Sequence, residues 1–88
     1  MRLKKITESL AVGVESYSNS KAWGHIAKAY IDGFEIESVK IRYYNRTWER
    51  YTYESVLLKL VNKLDKSKKA SLVERIALYN LIKNSNNF

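Results

Sequence analysis

The chain has 88 residues and no cysteine, and its 16 basic against 9 acidic side chains give a formal charge of +7. A domain this short buries only about 60 to 65% of the surface its unfolded form exposes, and without cysteine it has neither disulfides nor a thiolate zinc site to reinforce a thin core. A hydrophobic fraction of 45% with 28% charged residues excludes a disordered chain, and a pI near 9.7 points to anionic partners: nucleic acid, a nucleoprotein or an acidic protein face.

The N-terminus starts basic, but its apolar run is broken by Glu8 and Ser9, and no stretch approaches the roughly 18 apolar residues of a membrane span. The expectation is a soluble, intracellular protein without membrane contact, in which the sequon Asn45-Arg46-Thr47 is a chance match. Leu3, Ile6, Leu10, Val14 and Tyr17 are spaced as on a helix interrupted by Gly13, so residues 1–17 are expected to form a helical N-terminal segment.

Residues 21–32 carry two signals. Ala22, Trp23, Ile26, Ala27, Tyr30 and Ile31 fit a helical stripe with Ser20 as cap and Gly33 as stop. Against that, Asp32-Gly33 is a two-residue turn of the kind that closes a β-hairpin, because both positions need positive φ. The strand is the preferred reading, since such a turn requires a strand before it.

Folding the chain at this turn sets Lys28 opposite Glu37. The next stretch is β-branched and aromatic, and a second turn at Asn45-Arg46 returns it with Arg42 opposite Glu49 and Tyr43 opposite Trp48. Residues 22–53 thereby become a three-stranded antiparallel meander. Alternation puts Val39, Ile41, Tyr43 and Trp48 on the core face, and Lys40, Arg42, Tyr44, Glu49, Tyr51 and Tyr53 on the other. Phe34 and Ile36 have the opposite parity to Val39 and Ile41, which implies a β-bulge near Glu37 and Ser38 that keeps all four inward.

From Tyr53 onward, Val56, Leu57, Leu60, Val61 and Leu64 form a single helical stripe with Lys59, Asn62 and Lys63 between them. A basic connector follows. Ser71 to Glu74 then spells a capping box, and a final helix from Leu72 to about Lys83 is apolar on more than one side. Leu78, Leu81 and Ile82 are its candidate dimer face, and residues 85–88 are a frayed tail. The expected fold is a single α+β domain over 1–88, in the order α-β-β-β-α-α: the 1–17 segment, the 22–53 meander, and two helices over 54–84 packed on one sheet face.

The candidate binding surface is Lys40, Arg42, Tyr44, Arg46, Tyr51 and Tyr53, aromatic plates among cations. It can stack on bases and neutralise phosphates, serve as a protein hot spot, or simply stabilise an exposed sheet face. No catalytic, metal or cofactor site is expected: the chain has one histidine, His25, and isolated glycines at 13, 24 and 33 that make no phosphate loop. Glu35 and Glu37 are placed on one strand face as solvated partners of Lys28 and Lys40.

The segment NRTWERYTYESVLLKLV, residues 45–61, resembles small accessory proteins of bacteriophages and prophages. The resemblance covers about a fifth of the chain and carries no catalytic residues. It implies an inhibitor of a host defence system, of the anti-CRISPR kind, docking on a host protein or nucleoprotein in the bacterial cytoplasm. The alternative is direct binding of DNA or RNA, and a homodimer is compatible with either. In topology the expected fold is also similar to the double-stranded-RNA-binding domain, but where that family places phosphate-gripping lysines this chain has Thr52-Tyr53-Glu54-Ser55, so no binding residue is carried over.

Overall fold

A computed structural model describes residues 2–43 and 53–84. Four strands precede two helices: β1 (Leu3–Lys5), β2 (Leu10–Ser18), β3 (Trp23–Ile31), β4 (Phe34–Tyr43), α1 (Tyr53–Ser67) and α2 (Leu72–Asn84). The strands form one antiparallel sheet in the order β1-β2-β3-β4. The class is α+β with both helices after the sheet.

The N-terminal segment is therefore extended and not helical. Ile6, Leu10 and Val14 are four residues apart, a spacing that suits a helix but is also a multiple of the strand period of two. The even-numbered set Leu10, Val12 and Val14 lies in register with Ile31, Ala29 and Ala27 and joins the core. Leu3 and Tyr17, of the other parity, go to the opposite face. A sheet with four described strands thus replaces the expected three.

The strand reading of residues 23–31 holds, and Asp32 (φ 51°) with Gly33 (φ 87°) closes the β3–β4 hairpin with Ile31 paired to Phe34. The bulge is real but lies earlier than expected. Tyr30 pairs with Glu35 and Ala29 with Glu37, so Ile36 is the extra residue. Lys28 consequently faces Ser38, while its ammonium reaches Glu35 at 3.2 Å. Glu35 and Glu37 end up on opposite faces. Ile36, Val39 and Ile41 pack inward, whereas Phe34 is 76% exposed at the hairpin end.

The stripe Val56, Leu57, Leu60, Val61 and Leu64 of α1 is buried in full. It rests on β3 and β4, where Ala27 and Ala29 on the central strand have no bulk to hold it away. Lys68, with φ 55°, ends the helix in a left-handed cap, its N–H donating to the Leu64 carbonyl at 2.8 Å. The capping box of α2 forms as expected: Ser71 N–H donates to Glu74 Oε1 at 3.0 Å, and Glu74 N–H to Ser71 Oγ at 3.2 Å. Glu74 Oε2 also accepts from Ser9 Oγ at 2.7 Å and Thr7 Oγ1 at 3.3 Å, tying α2 to the β1–β2 turn.

The final helix is two-sided, but the sides are exchanged relative to expectation. Leu78 and Ile82 are buried in the chain's own core and Leu81 is half-buried, so they do not form an exposed dimer face. The solvent side carries Leu72, Val73, Ile76 and Tyr79. The fold gives α1 and the sheet only one side of α2 to cover.

Candidate functional site

Of the six residues proposed from sequence as a binding surface, Lys40 and Arg42 are exposed on β4, on the sheet face away from the helices. Tyr53 is not with them. It opens α1, and its hydroxyl accepts from Ser16 Oγ at 3.2 Å. Tyr44, Arg46 and Tyr51 lie outside the described residues, as do Trp48, Glu49, the Asn45-Arg46 turn, the returning strand and the 85–88 tail. The contiguous Tyr/Arg face therefore reduces to its β4 part.

That part is organised around an aromatic residue the sequence reading placed elsewhere. Tyr17 on β2 pairs directly with Gly24 on β3, and its ring lies across the space a side chain at 24 would take: a Cβ there would run into the Ile41 carbonyl and meet the Tyr17 hydroxyl at 2.8 Å. The Tyr17 hydroxyl donates to that carbonyl at 3.3 Å, and the Lys40 ammonium sits 4.5 Å from the ring centroid. Lys40 is thus a strut across β2, β3 and β4. Beside it, the hydrogen bond and charge of Glu35 raise the Lys28 pKa.

On the helix side, His25 is 94% buried by its 6% exposure, with Trp23 and Tyr53 edge-on to it at 5.8 and 5.0 Å. Its Nδ1 lies 3.0 Å from Ser16 Oγ. A serine beside an imidazole is the beginning of a nucleophile–base pair, but here the serine also bonds to Tyr53, and the contacts knit β2, β3 and the start of α1 together. Among the described residues, no three His, Asp or Glu side chains gather to hold a metal ion. No described helix is long and apolar enough to cross a membrane.

Among the described residues, a cleft of about 440 Å³ lies between β4 and α1, lined by Ser38, Val39, Lys40, Lys59, Asn62, Lys63 and Lys66. Lys59, Lys63 and Lys66 are four and three residues apart, one side of the helix, spanning about 10 Å of its axis. Lys63 also works within the fold. Its ammonium donates to the Ser38 carbonyl at 2.9 Å, Lys69 does the same to Ile36 at 3.3 Å, and the two flank Glu37 at 3.2 and 4.0 Å. Burial pushes the Glu37 carboxyl up, but the Lys63 hydrogen bond and charge, the Lys69 charge and the Ser38 backbone outweigh it and hold the group below its usual value. These lysines join α1 and the connector after it to backbone acceptors of β4.

Compared with known proteins, the chain matches no protein-family model, no curated protein and no solved structure.

Proposed function

We propose that the protein is a non-enzymatic binding protein that docks on an anionic host protein or nucleoprotein, in the manner of a phage-encoded inhibitor of a host defence system. The observation that carries this reading is the way the chain distributes its charge. Glu35, Glu37, Glu54 and Asp65 are paired with Lys28, Lys63, Lys83 and Arg75, and Glu74 is held by Ser71, Ser9 and Thr7. Lys5, Lys21, Lys59, Lys66 and Lys68 are exposed, with no carboxylate partner among the described residues. Five of the described acids are thus held by the fold, Glu8, Glu15 and Asp32 are exposed, and the surplus of exposed cations produces a positive field.

The host-defence setting comes from the resemblance at residues 45–61, and the enclosed environment of the single histidine favours binding over catalysis. The test has two arms. Expression in bacteria that carry a defence system should raise the plating efficiency of a phage that system restricts; unchanged plating against CRISPR and restriction systems overturns the inhibitor reading. Pull-down from bacterial lysate, with and without nuclease, should retain a partner that 0.5 M salt releases. Capture that is indifferent to salt overturns the anionic docking.

A further inference from the structure

We propose that the cleft between β4 and α1 is a phosphodiester-binding site, in which Lys59, Lys63 and Lys66 of α1 hold the backbone of a nucleic acid strand. This rests on the reading of the protein as a binder of an anionic partner and gives that partner a chemical class.

Three features select phosphate over an acidic protein surface. The first is what lines the cleft. Protein hot spots are built from Trp, Tyr and Arg around a desolvated centre, and among the described residues the lining contains none of these and only Val39 as an apolar side chain. Lysine is a point charge on a flexible stem that binds phosphate without demanding a fixed geometry. Affinity from such a wall is electrostatic and indifferent to base sequence.

The second feature is charge left over after folding. Lys63 is shared with Glu37 and the Ser38 carbonyl, and Asp65, the carboxylate beside Lys66 in sequence, is drawn to Arg75 at 2.8 Å on the α2 side. No described carboxylate pairs with Lys59 or Lys66. Among the described residues their charge is not used by the fold.

The third feature is neutral hydrogen-bonding capacity. Asn62 lies in the lining between Lys59 and Lys63. An amide of this kind contacts sugar and phosphate oxygens and fixes register along a strand. The Lys40 ammonium, stacked on Tyr17 across the sheet, stays outside this row.

The test is fluorescence anisotropy with a labelled 20-nucleotide single strand, the corresponding duplex, and a labelled poly-glutamate peptide, each titrated with protein from low to moderate salt. For contacts to three lysines, log K against log salt should fall with a slope of about 2 on single strands or about 2.7 on duplex. Lys59→Ala combined with Lys66→Ala should lower that slope by about 1.4 to 1.8 and weaken binding at least tenfold at low salt. Lys5→Ala with Lys21→Ala, an equal loss of charge at exposed positions outside the cleft, should change the slope by less than about 0.3. Circular dichroism of both variants should match the native chain. The stronger arm, single strand or duplex, identifies the source of the phosphate.

Oligonucleotide binding that ignores the Lys59/Lys66 change overturns the site while leaving the anionic-partner reading intact. Poly-glutamate binding without oligonucleotide binding overturns the phosphate assignment and again leaves that reading. Binding of neither polyanion at low salt overturns both.

Discussion

The two helices have similar apolar content and opposite fates. In α1 the apolar residues fall on one stripe, and all five positions from Val56 to Leu64 are buried against the sheet. In α2 they surround the helix: Leu78 and Ile82 enter the core, while Val73 remains 73% exposed and Leu72, Ile76 and Tyr79 lie open beside it. Periodicity tells which residues of a helix share a side. Which side is covered depends on what stands next to the helix, here α1 and the Thr7–Ser9 turn.

The comparison breaks most visibly with Leu60→Ala against Ile76→Ala. Leu60 is wholly enclosed, and its truncation should cost about 3 to 4 kcal/mol in transfer and cavity terms. That is a large share of the roughly 4 to 13 kcal/mol of a domain this size. Ile76→Ala removes half-exposed surface and should cost under about 0.5 kcal/mol. Urea unfolding followed by circular dichroism reads both, and an Ile76 effect comparable to that of Leu60 would mean the α2 outer side is covered in solution.

Next in size is Glu74→Ala. It removes the reciprocal cap and both hydrogen bonds to the β1–β2 turn, and about 1.5 to 2.5 kcal/mol of stability should go with them. The same residue predicts a pH effect. The backbone N–H of Ser71, then the Ser9 hydroxyl, hold the carboxyl below its ordinary 4.5 against a smaller opposing push from burial. An unfolded chain with the ordinary value binds more protons in that interval, so stability rises with pH there. The contribution is complete above about pH 4.5 and is lost as pH falls through the lower folded value. Urea midpoints from pH 3 to 7 should decline less steeply on the acid side in Glu74→Gln than in the native chain.

The smallest expected effect concerns the end of α1. Lys68 adopts positive φ, which glycine takes without steric cost, so Lys68→Gly should stabilise by about 0.5 kcal/mol once the extra freedom of the unfolded chain is counted. A thermal midpoint raised by a few degrees supports this. A lowered midpoint would show that the Lys68 side chain contributes packing along the connector.

Legibility followed the distance over which each contact acts. The α1 stripe, the Asp32-Gly33 turn and the Ser71–Glu74 box were readable because the interacting residues are within a few positions of each other. The β2 segment looks helical in sequence because Ile6, Leu10 and Val14 satisfy both periods at once. The bulge was inferred from a parity conflict, but that conflict is satisfied equally by several positions, and Phe34 escapes it by standing beyond the helices' cover. The lysine cleft was invisible for a different reason. In sequence, Lys59 and Lys63 are the gaps in an apolar stripe, and nothing local says that the edge of β4 will stand beside them. Of the residues first proposed as a surface, Lys40 and Arg42 kept their face, while Tyr53 was taken by the start of α1.

The order of pairing in the sheet bears on how the chain folds. Each strand pairs with its neighbour in sequence, and two-residue or similarly short connections close the hairpins, so little loop entropy precedes each gain. Such low contact order favours rapid folding. The Ser9–Glu74 hydrogen bond spans 65 residues and belongs to the opposite extreme, a closure that only a nearly complete chain can make. Its loss should leave the refolding limb of a chevron almost unchanged and raise the unfolding rate. The clasp between the first turn and the last helix therefore sets how long the native state persists once it has formed.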